Sequence, residues 1–61
     1  MKKIVGYLVK KDGEIIGATG DECYALYIAR TWKGICYKVV TTINPKEDPI
    51  TEHTVAYDGT I

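Results

Sequence analysis

Apolar and polar residues alternate along this chain in short blocks, and the blocks follow a strand–strand–helix–strand–strand order. The first block, Ile4, Val5, Tyr7, Leu8 and Val9, consists of strand-forming residues and predicts a strand over residues 3–11. It is apolar on both sides, with Ile4 and Leu8 on one and Val5, Tyr7 and Val9 on the other. A strand of that kind belongs in the centre of a covered sheet or in an interface. Asp12-Gly13 comes next. That pair between apolar runs signals a type I′ hairpin turn, which needs positive φ at both central positions. The turn sets Lys11 opposite Glu14, Lys10 opposite Ile15 and Val9 opposite Ile16. The second strand is then short, about residues 14–18, and Gly17 weakens it.

Thr19-Gly20-Asp21-Glu22 has the spacing of a capping box, with Thr19 as N-cap and Glu22 three positions on. A helix over residues 20–33 follows, with Gly34 as its natural C′ residue and Lys33 in the last turn, where a cation is favoured. At the helical period Tyr24, Tyr27, Ile28, Thr31 and Trp32 share a broad face, with Ala25 at its edge. Glu22, Arg30 and Lys33 lie opposite, and Leu26 falls among those charges.

Residues 35–43 form the clearest strand. Ile35, Tyr37, Val39 and Ile43 take one face, and Cys36, Lys38, Val40 and Thr42 a wetter one. Two prolines and a charge cluster make residues 44–49 a loop. The last strand spans about 51–57, with His53, Val55 and Tyr57 on one face. The fold expected is α+β: a single ββαββ domain over residues 1–61, with an antiparallel-rich sheet and one helix packed on one face. In that packing Tyr24, Tyr27 and Ile28 press against Val39 and Val55. Asp58-Gly59 repeats the turn signal with only Thr60 and Ile61 after it. That end is either a frayed tail or an edge that pairs with another chain.

Length limits the core. A 61-residue chain buries only about 60% of the surface its unfolded form exposes. Such small domains commonly rely on disulfides, metals or partner chains. Eight basic and eight acidic residues cancel, which argues against nucleic acid, whose affinity rests on excess cations. The charges are not evenly spread. Lys2, Lys3, Lys10 and Lys11 crowd the start, and Glu47, Asp48, Glu52 and Asp58 the end, so a solvated mixed surface and a head-to-tail contact between copies are both open.

Candidate chemistry is sparse. Cys23 and Cys36 with the single His53 fall short of a zinc ligand set, so no metal is expected. They are read as two reduced cysteines, at least one of them buried. Cys23 near a helix N-terminus has the one argument for a reactive thiol, but no motif surrounds either cysteine. Glu47 and Asp48 sit in a loop too mobile for acid–base work. Asp21 and Glu22 oppose anion binding at Gly17-Ala18-Thr19-Gly20. The chain is read as no enzyme, with no cofactor. Lys2-Lys3 and the apolar run after it are too short for a leader, and nothing spans a bilayer, so a cytoplasmic protein is expected.

Five Tyr, one Trp and no Phe favour half-wet packing surfaces. The expected function is therefore a small non-catalytic protein-interaction module, inhibitor- or adaptor-like, whose partner is another protein or a second copy of itself. Leu26, Trp32, Tyr37 and Tyr57 are its candidate surface residues. The alternative is single-stranded nucleic-acid binding, with Tyr37 and Tyr57 stacking bases on one sheet face.

Overall fold

Asp12 and Gly13 adopt φ of 52° and 81°, and they turn the N-terminal segment back on itself as a hairpin. The computed structural model, which covers residues 1–61, contains β1 (Lys2–Lys11), β2 (Glu14–Thr19), α1 (Glu22–Trp32), β3 (Ile35–Ile43) and β4 (Ile50–Asp58). The four strands form one antiparallel sheet in the order β2-β1-β3-β4. Two hairpins thus lie side by side, with β1 and β3 in the centre and α1 as the connection between them. The fold is α+β, as the order of the blocks predicts.

Strand register decides which residues share a face, since directly opposed residues point the same way. Gly17, Val9, Cys36 and Tyr57 form one row across the sheet. Val9 and Cys36 are fully buried, together with Ala25 and Ala29 of the helix. Tyr7, Leu26 and Ile28 pack around these four. The helix therefore covers the Cys36 face of β3, and the face bearing Val39 and Val55 lies on the other side.

That placement corrects the expected packing. Tyr24, Tyr27 and Trp32 are all more than half exposed, and the alanines point inward. Small residues let the helix backbone come close to the sheet. Gly17 contributes to the same approach: a methyl group on its Cα would stand 2.9 Å from Ile28 Cδ1. Leu26, read as an exposed residue among charges, is partly buried against the core.

The helix ends differ from expectation as well. Asp21 is the N-cap, and its side chain accepts a bond from the Cys23 amide at 2.9 Å. Thr19 sits outside the helix and accepts from the Asp21 amide instead. Glu22 is drawn away from any capping box, because it accepts a bond from the Tyr7 hydroxyl at 3.0 Å. At the C-terminus Lys33, not Gly34, takes the left-handed conformation, at φ 55°.

Two bulges shift the outer strands. In the first hairpin Val9 pairs with Gly17, so Ile16 is the extra residue; the pairs Lys10–Ile15 and Lys11–Glu14 stand as predicted. In the second, Cys36 pairs with Tyr57 and Tyr37 with Val55, which leaves Ala56 as the extra residue. The C-terminal tail is not frayed at Gly59, whose amide donates to the Gly34 carbonyl at 2.8 Å.

An 11-residue helix is about 16 Å long, and the 10-residue β1 runs about 33 Å. One helix therefore covers only one end of one face. The molecule measures 40 × 21 × 15 Å, with a radius of gyration of 12.5 Å. A compact 61-residue domain would have a radius near 10.5 Å, about 2 Å less.

Candidate interaction surface

The sheet face opposite the helix has no cover. Its central rows run Ala18–Leu8–Tyr37–Val55, then Gly6–Val39–His53, then Ile4–Thr41–Thr51. None of these residues is Lys, Arg, Asp or Glu. Charges enter this face only at its ends, with Lys2 beside Ile43 and with Lys10 and Asp58 flanking Ile35. Ile4 is 49% exposed, Val55 57% and Ile15, at the outer margin, 62%.

The part of the other face that the helix does not reach has a different composition. There Lys3, Lys38, Thr42, Glu52 and Thr54 surround Val5, Val40 and Ile50. A one-sided antiparallel sheet normally keeps its apolar residues under the helix and its polar residues on the solvent face. Here the fully open face is the drier one.

Few specific contacts occupy the open face. Lys10 Nζ stands 5.8 Å from the centroid of the Tyr37 ring, within cation–π range. The Thr41 and Thr51 hydroxyls share a hydrogen bond of 3.2 Å. A second apolar surface lies on the outer side of α1, where the Tyr24 and Tyr27 rings stack with centroids 6.5 Å apart.

The candidate residues read from sequence do not converge. Tyr37 is on the open face. Tyr57 is on the helix side, because the bulge at Ala56 reverses its direction relative to Val55. The expected single face holding His53, Val55 and Tyr57 is therefore split, and so is the two-tyrosine stacking platform. Trp32 is exposed in the last turn of the helix, and Leu26 is partly withdrawn beneath it. The residues that sequence reasoning missed are Ile4, Leu8, Val39 and Val55. The signal lies in β1, which is apolar on both sides, whereas the expected packing sets Val39 and Val55 on the sheet face beneath the helix.

The titratable groups form no constellation. Cys36 is buried on the helix side, and His53 is on the open face opposite Val39. Burial, with a further push from Glu22, raises the Cys36 thiol pKa. The hydrogen bond to Glu22, helped by partial burial and by the charges of Glu22 and Cys36, raises the Tyr7 pKa. Asp58 is lowered by the hydrogen bond from the Thr60 hydroxyl and then by that from the Thr60 amide. No three His, Cys, Asp or Glu side chains come together as a metal-binding group. The one concavity is an open dent in the loop Pro45–Asp48, lined by no hydrophobic residue. No helix is long and apolar enough to cross a membrane. No family model, curated protein or solved structure matches this chain.

Proposed function

We propose that this chain is a non-catalytic protein-interaction module that works by covering a protein surface with the open face of its sheet. The observation that carries the reading is the strip Leu8, Tyr37, Val39, Val55 and Ile4 on the side away from the helix, free of Lys, Arg, Asp and Glu, with Ile4 and Val55 exposed and the other three half-buried between neighbouring strands. Contiguous exposed apolar surface of this kind marks interaction sites in small proteins. Its rim of Lys2, Lys10 and Asp58 gives it the dry centre and polar edge of an interface. Both cysteines are free and Cys23 is exposed, which supports a reducing, cytoplasmic setting.

The nucleic-acid reading has less support. Lys10 over Tyr37 is one stacking position with a cation, but base-stacking sheets use several aromatic rings, and Tyr57 lies on the other side. Net charge is zero.

The test is a photo-crosslinking amino acid at position 39, introduced into the chain in its native cells. The reading expects a covalent adduct with a polypeptide that survives nuclease. An adduct with nucleic acid, or none at all with the chain folded, overturns it.

A further inference from the structure

We propose that the occupant of the open face is a second copy of this chain, packed sheet against sheet, with the helices outermost. This rests on the open face being the interaction surface and adds the identity of what covers it.

Area is the first argument. A compact monomer of 6.8 kDa exposes about 3,950 Å². This chain exposes 4623 Å². The surplus of about 670 Å² lies close to the roughly 800 Å² that each partner contributes to a standard interface. Two copies would bury about 1,350 Å², inside the range of specific complexes.

The need for permanent cover is the second argument. Only Val9, Ala25, Ala29, Gly34 and Cys36 are buried in the single chain, and two of the five are alanine and one is glycine. So small a core needs support from outside. There is no disulfide. Support that must be present whenever the chain folds is supplied most directly by a second copy, which is made at the same time and place.

Charge is the third. The chain is neutral overall, so copies do not repel, and the central rows hold no Lys, Arg, Asp or Glu that contact would strand. Lys10 and Asp58 flank Ile35 at one end of the face. A two-fold axis along the strands sets β2 over the partner's β4 and brings Lys10 towards the partner's Asp58.

Sedimentation equilibrium of the purified chain over a range of concentrations tests this. The expected result is a mass of twice 6.8 kDa and a urea midpoint that rises with protein concentration. Val55→Glu is the informative variant, because Val55 is more than half exposed in the single chain and lies outside its core cluster. It should weaken association about thirtyfold or more, as at an interface hot spot. Thr54→Glu, on the helix side of the same strand, should not. A folded monomer with a concentration-independent midpoint overturns the dimer. A dimer indifferent to Val55→Glu overturns the face. A monomer that still gives a polypeptide adduct from position 39 rejects the second copy while leaving the interaction-module reading intact.

Discussion

Lys33 holds the left-handed position that ends the helix, and Gly34 beside it lies against the Lys10 carbonyl, where a methyl group on its Cα would stand 2.8 Å from the oxygen. The glycine is thus used for close approach and the lysine carries the backbone strain. Lys33→Gly should raise stability by about 0.5–1 kcal/mol, since a side chain in that conformation costs more than the entropy glycine loses. Gly34→Ala should destabilise by about 1–3 kcal/mol, because backbone must move. Urea unfolding at one fixed protein concentration measures both.

The N-cap assignment separates two residues that a capping-box reading confuses. Asp21 satisfies the Cys23 amide, and Thr19 satisfies only Asp21 itself. Asp21→Ala should cost about 1 kcal/mol. Thr19→Val should cost less than half of that. Equal losses would restore Thr19 as the cap.

The thiols should differ sharply in access. Cys23 is exposed and Cys36 fully buried between helix and sheet. A thiol reagent should titrate one cysteine per native chain and two in denaturant. Cys36→Ser, which places a hydroxyl in an apolar site, should destabilise by about 1–3 kcal/mol. Cys23→Ser should be neutral.

Stability should narrow at both ends of the pH scale. Tyr7 and Cys36 have raised folded pKa values. Their contribution is complete below the unfolded values and lost as pH rises through the folded ones. The alkaline decline therefore begins above the ordinary thiol value of about 8.5 and extends past the tyrosine value of about 10. Asp58 is lowered. Its contribution is present above the ordinary carboxyl value of about 3.9 and lost as pH falls through the folded one. Unfolding free energy against pH should show both limbs, with Tyr7→Phe reducing the alkaline one and Asp58→Asn the acid one.

The order of elements and the Asp12-Gly13 turn were legible in the sequence, because each depends on local preference, whereas the two-sided apolar pattern of β1 left its place open between the centre of a covered sheet and an interface. The helix phase was not. Periodicity favours the large side chains Tyr24, Tyr27 and Trp32 as the inward face, yet close packing on Val9 and Cys36 selected Ala25 and Ala29. That choice turned the sheet over relative to the helix, leaving Val39 and Val55 open. The direction of Tyr57 was illegible for a different reason: the single extra residue at Ala56 reverses it, and nothing in the local sequence marks a bulge there. Gly34 is instead the residue that lies against the Lys10 carbonyl, a long-range approach that local signals do not report.

Hydroxyl-radical footprinting of the chain at working concentration reads the cover of the sheet face residue by residue. Val55, Ile4 and Ile15 on the open face and Tyr24 and Tyr27 on the helix are all exposed in the single chain. The three sheet residues should be protected while the two tyrosines label freely, and Val55→Glu should restore labelling at Ile4 and Ile15. Equal labelling of both surfaces, at every concentration and with the fold intact, would show that nothing covers the sheet and would contradict the proposed interface.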